Sequence, residues 1–96
     1  MESVSTTATH TIRQMLERQP LSAAKVVFAW RFAAGASLSK SASAEWSADG
    51  TLTLCARGAA WRRELERATP VIKDRLAFLL GQQVVRKILV IEDTHA

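Results

Sequence analysis

Apolar positions along this chain switch between a helical and a strand period. Ile12, Met15 and Leu16 stand at i, i+3 and i+4, which predicts a short helix over 9–18 with Thr9 as its N-cap. Pro20 ends it, because the residue before a proline avoids helical geometry. A second helix is predicted from Ser22 to Ala34. Ser22 suits the N-cap, Ala24, Val27, Phe28, Arg31 and Phe32 lie along one side, and Gly35 supplies the residue that leaves the helix with positive φ.

From Leu38 the period falls to two. Leu38, Lys40, Ala42, Ala44 and Trp46 alternate with Ser39, Ser41, Ser43, Glu45 and Ser47, the pattern of a half-buried strand. Asp49-Gly50 follows, a hairpin dipeptide in which both positions tolerate positive φ. Thr51–Ala56 alternates again, with Leu52, Leu54 and Ala56 facing inward. The helical period returns at Trp61, Leu65 and Ala68, and Pro70 is expected to close that helix and open another. Val71, Ile72, Leu76, Leu79 and Leu80 form the second stripe, closed by Gly81. Val84–Ile91 is β-branched and apolar at both parities, as in a strand covered on both faces or internal to a sheet. The predicted order is α-α-β-β-α-α-β, a compact α+β domain with helices on one face of a three-stranded sheet. Residues 1–19 read as a flexible N-terminus with a possible short helix, 20–92 as the domain, and 93–96 as a polar tail.

Charge narrows the function. The chain carries 13 Lys and Arg against 9 Asp and Glu, a net of +4 with a pI near 10.0. Residues 57–87 hold eight of the cations against Glu64, Glu66 and Asp74, a local net of +5. A basic half favours a polyanion, nucleic acid before membrane. The bland reading is a domain charged only for solubility. No apolar stretch approaches the roughly 17 residues of a membrane span, and the N-terminus lacks the pattern of a secretory signal. The single cysteine, Cys55, excludes a disulfide framework and a multi-cysteine zinc site. A reduced, cytoplasmic setting is expected.

Catalytic chemistry finds little to work with. His10 and His95 lie near opposite ends of the chain, and solvated histidines are the expectation for both. Cys55 has no histidine near it in sequence. No acid pair, phosphate loop or glycine-rich nucleotide signature appears. The expectation is a non-enzymatic protein without metal or cofactor. Trp30 and Trp61 fit core positions, whereas Trp46, beside the hairpin turn, is a candidate for base stacking or docking as well as for packing. Arg57, Arg62, Arg63 and Arg67 cluster around the Trp61 helix, and Arg86 and Lys87 begin the last strand. If that strand and the helix start meet, six cations form one surface that tracks phosphates and stacks on bases.

The run Val26-Val27-Phe28-Ala29-Trp30, then Gly35, then Asp49-Gly50-Thr51-Leu52-Thr53-Leu54, then Ala59-Ala60-Trp61-Arg62-Arg63-Glu64-Leu65, with Leu80-Gly81 before the last strand, resembles the DciA-type family. These are bacterial proteins that assist loading of the replicative helicase. The resemblance covers roughly residues 20–92 and implies a KH-like fold, binding to single-stranded DNA and contact with the helicase. Gly58-Ala59-Ala60-Trp61 stands near the place of the KH clamp loop but lacks its second glycine, so the usual four-nucleotide clamp is not expected. Many members carry a basic, flexible tail after this domain, and the sequence ends at Ala96. The alternative reading is a protein-interaction module that does not touch nucleic acid, docking through a sheet edge or the helices. Homodimerisation through the first strand is a further possibility.

Overall fold

A computed structural model describes residues 4–93. Its element order is α1 (Val4–Glu17), α2 (Ala23–Lys40), β1 (Ala42–Trp46), β2 (Thr51–Ala56), α3 (Ala59–Leu80) and β3 (Lys87–Glu92). The sheet runs β1-β2-β3. β1 pairs antiparallel with β2, Trp46 opposite Leu52 and Ala42 opposite Ala56. β3 pairs parallel with β2, Thr51 opposite Lys87 and Ala56 opposite Glu92. The domain is therefore α+β, with a mixed three-stranded sheet. α3 is the crossover that any parallel pair requires.

Strand alternation places the core. Leu52, Leu54 and Ala56 are fully buried on the helix-covered face, and Ala44, Trp46, Ile88 and Val90 pack on the same side. α2 contributes Val26, Ala29, Trp30 and Ala33, and α3 contributes Leu65, Ile72, Leu76 and Leu79. α1 is longer than the predicted helix, so Thr9 lies inside it and does not cap it. Leu16 carries α1 into the core, and the rings of His10 and Phe78 of α3 meet in a T-shape while the Arg13 guanidinium lies 4.8 Å over the Phe78 ring. His10 thus has a ring partner rather than solvent alone; His95 lies outside the described residues.

α2 opens as predicted. Ser22 is extended and its hydroxyl accepts from the Lys25 amide at 3.1 Å. Gly35 leaves helical geometry at φ 85. The chain then resumes helical turns as far as Lys40, so the ten-residue strand expected from Leu38 shrinks to Ala42–Trp46. Small side chains explain the error. The Ser39 and Ser41 hydroxyls donate to the carbonyls of Ala36 and Leu38, three residues back, which suits a turn as well as alternation suits a strand.

The hairpin also differs from a two-residue turn. Ser47–Gly50 makes the connection, closed by Gly50 N–H donating to the Ser47 carbonyl at 2.9 Å. Only Gly50 has positive φ (94°) there. The Asp49 carboxylate accepts from the Ser47 hydroxyl and the Thr51 amide, and these bonds hold its pKa below the ordinary carboxylate value. α3 runs unbroken through Pro70, where two helices were expected. The proline removes the amide that would bond the Glu66 carbonyl. Leu65, Ile72, Leu76 and Leu79 nevertheless fall on one buried line that spans it, so packing holds both halves together.

β3 departs most from expectation. It is an edge strand with one face covered: Leu89 and Ile91 are 41% and 43% exposed on the face away from the helices.

Two substitutions test this packing. Gly50→Ala places a Cβ 2.9 Å from Arg86 Cγ in a backbone conformation that side chains avoid, whereas at Gly35 the same change meets no atom within 4 Å. Strain alone costs about 1–3 kcal/mol at such a position. In urea unfolding, Gly50→Ala is expected to lose more stability than Gly35→Ala; equal losses would show that the Arg86 contact does not matter. Trp30 is 1% exposed and Trp61 40%. Trp30→Ala is expected to cost about 3–5 kcal/mol. Trp61→Ala should cost at least about 1 kcal/mol less, because less of its area leaves water on folding.

Candidate nucleic-acid interface

Chain direction decides where the cations go. α3 begins where β2 ends, so Arg57, Arg62 and Arg63 lie at the Ala56 end of the sheet, with Arg67 about one helical turn further on. The Arg57 amide donates to the Ser41 carbonyl, which brings Lys40 to the same end. β3 begins at the opposite end. The amides of Arg86 and Lys87 both donate to the Gly50 carbonyl, beside the hairpin turn. Lys87 and Glu92 are five residues apart along a strand, roughly 17 Å. The six cations therefore form two groups at opposite ends of β2, not the single surface expected.

The group at the α3 start is the larger. Among the described residues Arg57, Arg63 and Lys40 make no side-chain hydrogen bond or ion pair. Arg67 pairs with Glu64 at 3.2 Å, but both side chains are more than half exposed. Such a pair is worth a few tenths of a kcal/mol and gives way to a phosphate readily. Arg62 is more constrained. Its Nε lies 3.8 Å from a Glu92 carboxylate oxygen, within ion-pair range, yet makes no hydrogen bond.

The helix start adds to this charge. Gly58 is the N-cap at φ 129 and offers no side-chain acceptor, so the first-turn amides keep their donors. Trp61 stands among these arginines and is 40% exposed, which corrects the expectation of a core tryptophan. It continues the buried line of Leu65 and Ile72, but one turn beyond the end of the core. Helical spacing alone cannot locate that end. The signal available in the sequence was local: Trp61 is flanked by Ala59, Ala60, Arg62 and Arg63, with no large apolar residue before it.

The group at the other end is differently built. Arg86 lays its side chain against Gly50 and donates to the Gln83 side chain at 3.1 Å. Lys87 projects from the open sheet face, on the side of Leu89 and Ile91. Trp46 is half-buried on the covered face, and its indole N–H donates to the Val84 carbonyl at 2.9 Å. Its polar edge is thus committed to closing the loop before β3, which is the packing role. Arg75, on α3, donates to the Ala33 carbonyl of α2 and serves the fold in the same way.

Cys55 is half-buried on the open face of the central strand, opposite Ser43 and Ile91. Among the described residues no three His, Cys, Asp or Glu side chains gather as a metal site would require. No described helix is long and apolar enough to cross a membrane.

No curated protein and no solved structure matches the chain significantly. A family model, described as Dna[CI] antecedent, DciA, matches residues 3–90. That span takes in α1, the hairpin, the arginine-rich start of α3 and β3 as far as Val90. The chain belongs to the DciA family, which is associated with loading of the replicative helicase.

Proposed function

We propose that this chain is a non-enzymatic module that binds single-stranded DNA and contacts the replicative helicase during loading. The observation that carries the reading is the α3 start. Arg57 and Arg63, unpartnered among the described residues, the exchangeable Arg67, Arg62 and the uncapped amides lie around an exposed Trp61. Guanidinium groups neutralise phosphates, and an indole face or a guanidinium plane stacks on an unpaired base whatever its identity. Duplex DNA offers phosphates but no free base faces, so single strands are preferred. Arg86 and Lys87 supply a second, weaker contact about 17 Å away along the sheet, which a strand can reach only when it extends past the first.

Binding is expected to be salt-sensitive and tolerant of sequence. With about four phosphates neutralised, log K falls against log salt with a slope of roughly −3 on single strands. Arg57→Glu with Arg63→Glu should weaken binding at least tenfold in a fluorescence anisotropy titration and leave the unfolding midpoint unchanged, since neither side chain has a partner among the described residues to lose. A slope near zero, or affinity that survives both changes, would reject this surface. Retention of the helicase from nuclease-treated lysate, with no retention of single-stranded DNA, would favour the protein-interaction alternative.

A further inference from the structure

β3 is the strand whose exposed character the fold does not use. Its central residues, Ile88-Leu89-Val90-Ile91, are apolar at both parities. Ile88 and Val90 pack on the core, while Leu89 and Ile91 stand out on the open face. Natural edge strands are usually blunted by charge in the middle, as β1 is by Glu45 between Ser43 and Ser47. β3 carries its charges only at the ends.

The backbone of its outer edge is also unclaimed. The amides of Lys87 and Asp93 donate inward, to the carbonyls of Gly50 and Ala56 on the β2 side. Strand alternation then turns the N–H and C=O groups of Ile88, Val90 and Glu92 outward. No other described segment bonds to them through its backbone.

The charge pattern selects an occupant. The strand is basic where it begins, at Arg86 and Lys87, and acidic where it ends, at Glu92 and Asp93. A copy of itself laid antiparallel sets the basic start of one chain against the acidic end of the other, twice. A parallel copy would set like charges together.

We infer that β3 pairs with β3 of a second copy of this chain, antiparallel about a two-fold axis at Val90, to make a continuous six-stranded sheet. The register follows from the outward groups. Residues that face each other across an antiparallel ladder share a sheet face, so the outward-directed Ile88, Val90 and Glu92 meet Glu92, Val90 and Ile88 of the second copy. Each such pair exchanges two backbone hydrogen bonds. Between them, Leu89 faces Ile91 and Lys87 faces Asp93 of the second copy. The four exposed side chains at Leu89 and Ile91 then cover one another across the joint. An interface this narrow is below the standard size, so the dimer is transient and concentration-dependent. The inference rests on β3 alone and is independent of the nucleic-acid reading.

Disulfide trapping tests the register. Leu89 and its opposite number Ile91 form a non-hydrogen-bonded pair with Cα atoms about 4.5 Å apart, within the reach of a disulfide. Both cysteine variants carry Cys55→Ser, because Cys55 pairs with Ile91 within the chain. An oxidised mixture of the Leu89→Cys and Ile91→Cys chains is expected to give mixed disulfide dimers in at least tenfold excess over either chain alone. In parallel, sedimentation velocity on the full chain, from about 10 µM to about 1 mM, spans the affinities of weak interfaces. Self-association should appear there and be lost in Leu89→Lys/Ile91→Lys, whose thermal unfolding at the dilute end of that range, where dimer is scarce, should stay close to the parent's because neither residue packs on the core. A chain that stays monomeric throughout overturns the proposal. So does self-association that the lysine pair leaves intact, or a Leu89→Cys chain that cross-links to itself better than the mixture does. Pairing of β3 only with a strand from another protein, without self-association, also overturns it.

Discussion

The parallel pairing of β2 with β3 is the constraint on which the rest of the structure depends. An antiparallel return could have been made by a short turn. A parallel one obliges the chain to travel back along the sheet before the next strand starts, and α3 is that journey. Its 22 residues span about 33 Å at 1.5 Å each, enough to run past the sheet end to end. The same requirement explains why α3 tolerates Pro70. A break there would leave Ile72, Leu76 and Leu79 without a route to the face that Leu65 already occupies. A proline inside a helix costs about 3 kcal/mol, and burying these residues outweighs it. The Thr69 hydroxyl meanwhile bonds the Leu65 carbonyl one turn back, beside the missing amide.

Parallel pairing also divides the charge. Had β3 run the other way, Arg86 and Lys87 would stand beside Arg57 and the α3 start, and the basic half of the sequence would be one surface. Running parallel, β3 begins beside Gly50 and ends beside the α3 start, so it delivers Glu92 rather than Lys87 to the arginines. The positive patch at that end is thereby trimmed: Arg62 is held near a carboxylate, while Arg57 and Arg63 have no ion-pair partner among the described residues.

Local chemistry was the legible part of the sequence. Ser22, Gly35, the hairpin at Asp49-Gly50 and the inward Leu52, Leu54 and Ala56 each act through neighbours within a few residues, and each stands where the pattern predicts. The α+β class follows from them. What failed needed information from elsewhere in the fold. The Ser/Ala run before Ala42 alternates as well in a helix end as in a strand, because small side chains carry little preference, and the Gly35 break only delays the choice. Trp61 lies on the correct helical line at the wrong height, and height is set by where the sheet stops. The cation set of residues 57–87 was visible as composition, but whether it converges depends on strand direction, which no local pattern encodes.

Apolar residues at both parities of β3 predict a strand covered on both faces or internal to a sheet. The structure makes it an edge, yet the composition remains that of an interior strand. The two statements conflict only for an isolated chain. β2 shows what an interior strand of this domain looks like when one face is open: Leu52, Leu54 and Ala56 point to the helices, while Thr51, Thr53 and Cys55 are only half-buried on the other side. β3 keeps the first pattern in Ile88 and Val90 but replaces the second with Leu89 and Ile91, side chains larger and more apolar than any on the open face of β2. Folding of one chain covers only part of that choice, since neither residue packs on the core and Leu89 and Ile91 keep 41% and 43% of their surface exposed. Nothing among the described residues covers the part that stays exposed. The α3 start presents a different sort of surface, arginines set around the half-exposed Trp61. The domain thus keeps two kinds of surface apart, charged at the start of α3 and apolar along β3, and Glu92 touches both, through its ion pair to Arg62 and its place on the outer edge of the strand.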